Sequence, residues 1–402
     1  MIYNRNVNDV LSLFNNSEGF VTVCAPMVRY SKIQFRSLVR QYNCDLCFSP
    51  MIMADSFCKS EKARQNEFST NRNDSPVVVQ FAANNAADFV EAANLVAPYC
   101  DGVDLNCGCP QRWAKQLGVG CALLEDPQNI YNIVRECKNQ VTKPFTISVK
   151  MRLLNDLKET VTICKQLEMC GVSFITLHGR TKLQQKGEAN INAIKTVRES
   201  INCPLISNGG VLDLDGCKEM HEKTGCKGVM VGNGILTNPT LFSGSNTTTI
   251  ACVQSWIDIC YNSTLTLEKY NILRQSKQIQ NPVIPERPLN LTFQCFHHHL
   301  VFMLEKILPR FKRRIFNGLQ TFSTVLHFLK ENLGLTCKLF DEETFMNSCV
   351  LDINYYNFLN NCTEINYYNH QNEGKFFSEK CTFSDVYDEE ENILNIFSET
   401  TK

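Results

Sequence analysis

The run Asp104-Leu105-Asn106-Cys107-Gly108-Cys109-Pro110 sets two thiols on either side of a glycine. Pro110 holds Cys109 in an extended conformation. A partly exposed thiol with a pKa of about 8.5 is mostly protonated at neutral pH and can act as an acid. The bland readings are a C-x-C in a tight turn or half of a metal site. No compensating ligands lie nearby, so metal is not expected. Two glycine pairs, Gly209-Gly210 and Gly232 with Gly234, bring backbone amides close to an anion without a side chain in the way. They suit a phosphate. Lys150 and His178 add a cation and a neutral hydrogen-bonding ring, and Gln80 an amide that both donates and accepts. A lysine near the carbonyl side of a flavin would stabilise the negative charge of its reduced form. Each residue alone is weak evidence; together, on successive elements, they point to one site.

Those elements are short apolar runs. VTVCAP starts at Val21, LCFSP at Leu46, VVVQFA at Val77 and GVDLNCGCP at Gly102. FTISVKMR starts at Phe145, FITLHGR at Phe174, PLISNGG at Pro204 and GVMVGNG at Gly228. Their near-continuous hydrophobicity reads as strands buried on both faces. Helix-like stretches such as AADFVEAANLVAPYC, LKETVTICKQLEMCG and INAIKTVRESI separate them. Eight β-then-α units in roughly 200–250 residues predict an α/β fold, a (β/α)8 TIM barrel, whose chemistry sits at the strand C-terminal ends. Each run does end in polar or special residues. A doubly wound sheet is the alternative, but its glycine fingerprint is absent from the first turn.

The 402 residues exceed one barrel. A catalytic barrel domain over 1–244, a helical domain over 245–340 and an acidic, partly disordered tail over 341–402 are expected. SGSNTTT opens the second as a connector, and NPVIPERPLN carries three prolines in ten residues and is not regular helix. From Phe293 to Leu335 the apolar spacing becomes helical, giving two or three helices with breaks near Pro309 and Gly318. The net charge of −1 hides an asymmetry, because the tail holds 13 acidic residues against 3 lysines and the body before it is basic. A basic body suits a polyanionic partner. Lys312, Arg313 and Arg314, with Phe311 and Phe316 beside them, are the candidate grip on phosphates. His297, His298 and His299 are adjacent and cannot share a helix face, which argues against metal there as well. The 21 cysteines are odd in number and scattered, so reduced thiols fit better than a disulfide scaffold. No run approaches a membrane span and no secretory hydrophobic region opens the chain. Cytoplasmic residence is expected, with nuclear work left open.

DLNCGCP, preceded by A-P-M at Ala25 and V-Q at Val79, is followed by V-K-M-R at Val149, H-G-R-T at His178 and S-N-G-G at Ser207. In that order, over about residues 20–245, the chain resembles the tRNA-dihydrouridine synthase family, and most of all its four-like eukaryotic branch. The resemblance implies reduction of uridines 20a and 20b of the tRNA D-loop, with noncovalent FMN, NADPH or NADH as reductant, tRNA as partner and a monomeric enzyme. By motif matching, Pro26, Met27, Val28, Gln80, Lys150, His178, Asn208, Gly209, Gly210, Gly232 and Asn233 would hold FMN. Asn106, Arg152 and Arg180 would meet the substrate, and Cys109 would be the acid. One departure is visible: the family usually has Gly-Arg where this chain has Gly232-Asn233. A small-molecule FMN oxidoreductase and a redox-inactive tRNA-binding protein stay open as alternatives.

Overall fold

The structure is a computed structural model that describes residues 9–16, 19–141, 145–184, 186–275, 291–351 and 353. The NPVIPERPLN segment and the tail beyond 353 lie outside the described residues. Eight parallel strands close into a barrel, as the apolar runs predict: β1 (Val21–Cys24), β2 (Leu46–Phe48), β3 (Val77–Ala82), β4 (Gly102–Cys107), β5 (Thr146–Leu153), β6 (Phe174–Thr181), β7 (Leu205–Asn208) and β8 (Gly228–Val231). Closure comes from β1 pairing with β8, with Val21 opposite Gly228 and Cys24 opposite Val231. A further two-residue strand, Ile52–Met53, adds to the end of β3. Every residue of β3 and β4 is buried, which is why the sequence there is a continuous apolar run interrupted only by Gln80, Asp104 and Asn106.

The intervening helices start on side-chain caps. Asn85, Asp126, Asp156, Asn190 and Asp213 each accept a hydrogen bond from a backbone N–H of the first turn. At the N-terminal end of the barrel the short helix Val10–Asn16 drives Val10 and Phe14 into the core against Val21, Phe174 and Ile206. That leaves the opposite end as the open rim.

After β8 the chain forms the helices Ile250–Asn262, Leu267–Gln275, Phe293–Leu304, Arg310–Asn317 and Phe322–Leu333. The last three break at Pro309 and Gly318, where helix-incompatible residues were expected to interrupt the pattern. The helix Phe293–Leu304 packs on the barrel through aromatic groups. The His299 ring lies 4.5 Å from both Phe35 and Trp256. The same helix grips the loop after β1. His299 Nε2 donates to the Tyr30 carbonyl at 3.1 Å, the Tyr30 hydroxyl hydrogen-bonds His298 Nδ1 at 3.1 Å, and Cys295 Sγ donates to the Arg29 carbonyl at 3.5 Å. His297 turns away and bonds the Phe316 carbonyl at 2.9 Å, so the three adjacent histidines serve three different partners.

One expectation needs correction. Phe316 is buried against His297 and Phe328, so it belongs to the helical core and is not offered to RNA. The acidic stretch, expected to be partly disordered, begins with an ordered helix. Asp341 caps the helix Glu342–Ser348, and Glu342 and Glu343 occupy its first turn, where negative charge favours a helix. Phe345 from that helix stacks on Tyr270 at 3.8 Å, and Leu351 N–H donates to the Thr70 carbonyl at 2.9 Å, back on the barrel.

Candidate active site

The strand registers bring the chemically equipped residues together at the open rim. Gln80 lies opposite Asp104, Asn106 opposite Lys150, Arg152 opposite His178, and His178 opposite Asn208. The residues therefore share one end of the barrel although they span over a hundred positions of sequence.

On the β3–β4 side every polar side chain is tied. Ser148 Oγ donates to Asp104 Oδ1 at 2.6 Å, and Gln80 Nε2 donates to Asp104 Oδ2 at 2.8 Å. Asn106 Nδ2 donates to Gln80 Oε1 at 2.8 Å. Asn106 Oδ1 then accepts from the backbone N–H groups of Gly108 at 3.1 Å and Cys109 at 2.9 Å. Burial pushes the Asp104 carboxyl up to about 6, against the pull of the Ser148 and Gln80 hydrogen bonds and the Lys150 charge.

Cys109 is half-buried on this clamped loop, whereas Cys107 is fully buried and its thiol is pushed far up by desolvation. The loop is backed by Gly120. A Cβ there would stand 2.7 Å from the Cys109 carbonyl oxygen, and φ is +65°, so glycine is required twice over. The Arg152 guanidinium binds the Gly108 carbonyl at 2.9 Å and the Thr181 carbonyl at 3.1 Å, bracing the thiol loop against the end of β6.

The β5–β6 side is different. The Lys150 ammonium has no hydrogen bond or salt bridge among the described residues, and desolvation with the Arg152 charge pulls it down to about 8. His178 Nε2 is buried without a partner. Desolvation, then Lys150, Arg152 and Arg180, drive that imidazole down to about 2, so it is neutral. Gly209, at φ +121°, lies against the ring: a Cβ would meet His178 Cδ2 at 2.7 Å. A Cβ on Gly210, at φ +79°, would come within 3.8 Å of the Arg180 guanidinium. Asn208 Nδ2 donates to the Met230 carbonyl at 2.8 Å and ties β7 to β8. Gly232 sits beside Ala25 and Met27, so the loops after β8 and β1 adjoin. Pro26 and Met27 are half-buried there, while Val28 and Asn233 are exposed.

Lys312, Arg313 and Arg314 are on the helix Arg310–Asn317, away from the rim strands in sequence. Arg314 is exposed, Lys312 and Arg313 are partly so, and Arg313 faces Glu305 at 3.9 Å. Phe311 beside them is 74% exposed.

Spacing and motif alone give Asp104 and Ser148 no task, although Asp104 opens the DLNCGCP run. An acidic residue in the middle of a buried strand was the available signal.

The profile of the dihydrouridine synthase (Dus) family matches residues 23–289 of the chain. The chain is a dihydrouridine synthase. Its likeness to that family extends beyond the barrel. A Mus musculus tRNA-dihydrouridine(20a/20b) synthase-like protein is 42% identical over 327 residues, 81% of this chain and 93% of the mouse protein. The Homo sapiens protein of the same name is 41% identical over 328 residues, covering 81% and 95%. A Saccharomyces cerevisiae tRNA-dihydrouridine(20a/20b) synthase is 41% identical over 291 residues, covering 71% and 72%. This dihydrouridine synthase therefore has an enzyme's rim, with a thiol, a lysine and a neutral histidine on adjoining strands.

Proposed function

We propose that this dihydrouridine synthase reduces uridines 20a and 20b of the tRNA D-loop to 5,6-dihydrouridine, using FMN with NADPH, or NADH, as reductant. The names of the mouse, human and yeast relatives support the tRNA positions and a nicotinamide reductant.

The residues present fit FMN. The unpartnered His178 Nε2 and Lys150 ammonium offer a donor and a cation to a planar, carbonyl-bearing ring. Gly209 and Gly210 have the backbone freedom and side-chain clearance that a phosphate needs. Pro26, Met27 and Val28 would flank the ring, Gln80 would meet its imide edge, and Asn208, Gly232 and Asn233 would complete the phosphate end. Once reduced by the nicotinamide, bound FMN would supply a hydride to C6 of uracil, whose C5–C6 double bond is conjugated to the C4 carbonyl. Cys109 then gives its proton to C5. The uridine has to leave its stack to reach the rim, where Asn106 and Arg180 would meet the extruded base and its phosphate. Lys312, Arg313 and Arg314 would neutralise phosphates further along the tRNA.

The observation that carries this reading is the half-buried Cys109 on a loop clamped by Asn106, the residue directly opposite Lys150 in the strand register. The test is the visible spectrum of the purified protein, followed without oxygen after NADPH is added. A flavin band that bleaches, and reoxidises faster with unmodified tRNA than with free uridine, is expected. A colourless protein that still binds tRNA would overturn the enzyme assignment for this chain, and a flavin indifferent to tRNA would move it to a small-molecule substrate.

A further inference from the structure

We infer that Asp104 is a positioning residue: its carboxylate decides which way round the amides of Gln80 and Asn106 sit, and through them holds the backbone of the Cys109 loop. The inference deepens the reading above and rests on Cys109 being the acid.

An amide side chain has a donor end and an acceptor end of nearly the same shape, so nothing steric stops it from turning over. Here both ends of the chain of amides are fixed by groups that cannot change role. At one end the ionised carboxylate of Asp104 accepts only. It receives Ser148 Oγ on one oxygen and Gln80 Nε2 on the other. Gln80 must then present its oxygen to Asn106, and Asn106 must present its nitrogen to Gln80. That leaves Asn106 Oδ1 for the loop, where two backbone N–H groups need an acceptor. Reversing the first amide would reverse the second and set an NH2 against two N–H donors. Asp104 is completely buried, where an ionisable side chain is costly unless its partners hold it. The register explains the reach of the device. Asp104 neighbours Gln80 on β3 and Ser148 on β5, so one carboxylate sets polarity across three strands.

The variants that test this are Asp104→Leu, Asp104→Asn, Asn106→Asp and the pair Asp104→Asn with Asn106→Asp. The main readout is peptide-resolved alkylation of Cys109 by iodoacetamide in the full chain, with buried Cys107 as the internal monitor of unfolding. Asp104→Leu removes the acceptor and should raise the Cys109 rate about tenfold with Cys107 still protected. Asp104→Asn keeps an oxygen for Gln80 and turns its nitrogen to the Ser148 hydroxyl, so it should stay within about threefold of the native rate. Asn106→Asp alone sets two oxygens, its own and that of Gln80, against each other and should loosen the loop. Adding Asp104→Asn lets Gln80 turn over and should restore the slow rate. In parallel, kcat for tRNA reduction should fall with Asp104→Leu and stay near the native value with Asp104→Asn.

A native Cys109 rate in Asp104→Leu, or Asp104→Asn as fast as Asp104→Leu, would overturn the inference. So would a double variant no slower than Asn106→Asp alone, a comparison that remains decisive if Asp104→Leu does not fold. Failure of the acid reading looks different: the alkylation pattern would hold while kcat ignored the loop.

Discussion

The two sides of the rim are built on opposite terms. Around β3 and β4, Gln80, Asp104 and Asn106 satisfy one another and hand their last acceptor to the thiol loop. Around β5 and β6, among the described residues, His178 Nε2 and Thr176 Oγ1 are buried with no partner and the Lys150 ammonium makes no hydrogen bond. A buried polar group without a partner costs about 1–3 kcal/mol, so the second side is held against its own interest by the barrel around it. The first side orients. The second keeps a donor and a cation in reserve for something that must bring acceptors and negative charge. Division of labour of this kind lets the thiol be preorganised while the binding half gains most when occupied.

The comparison breaks most visibly at Cys109. Cys109→Ala should leave the protein yellow and lower tRNA reduction about 10²–10⁴-fold, as loss of a general acid does; full activity would remove this thiol from the reaction. Lys150→Met attacks the unsatisfied side. Flavin binding or its rate of reduction should fall about a hundredfold, and the His178 pKa should rise because Lys150 helps to hold it down. Unaltered flavin affinity and reduction would mean the ammonium is not part of the site. Gly209→Ala forces a Cβ to 2.7 Å from His178 at φ +121°, and a loss of about 1–3 kcal/mol in urea unfolding is expected.

Away from the rim, His299 is held neutral, with burial pulling it down to about 3. The unfolded imidazole takes a proton near pH 6.5 while the folded one does not. Stability contributed at neutral pH therefore drains as pH falls from about 6.5 towards 3, by up to about 1.4 kcal/mol per unit. His299→Phe should flatten the pH dependence of unfolding by that amount, and an unchanged slope would show that the ring ionises in place. The smallest effect is expected from Asn233→Arg. Restoring a cation beside Gly232 should tighten flavin binding about two- to fivefold, measured by flavin fluorescence quenching. No change would assign phosphate recognition to backbone alone.

The barrel was legible because strands buried on both faces are mostly apolar before their ends, so each strand announced itself as an apolar run with a chemical terminus. Those termini do meet, because parallel strands in a closed barrel deliver all their C-terminal ends to one rim. What escaped was whatever depends on register or on distant partners. The task of Asp104 appears only when Gln80, 24 residues earlier, and Ser148, 44 residues later, are known to flank it. Arg152 reads as a free cation until its carbonyl partners, 44 and 29 residues away, are in view. Glu342–Ser348 hid inside an acidic composition because its anchors need distant partners: Phe345 stacks on Tyr270, Glu342 pairs with Arg274 and the Ser348 carbonyl accepts from Asn71. The plug formed by Val10 and Phe14, with Leu11 and Leu13 packed against it, is one short apolar cluster, too brief for periodicity to detect.

The grip of the helix Phe293–Leu304 on Tyr30 has a consequence in time. Tyr30 and His298 are 268 residues apart. At a synthesis rate of roughly 5–20 residues per second, the loop after β1 waits on the order of 13–54 s for the groups that fix it. Met27 and its neighbours are thus among the first residues made and the last to be set. A ribosome that stops before Phe293 releases a chain that has all eight strands but no histidine at Tyr30, and Phe35 facing water where His299 should stack.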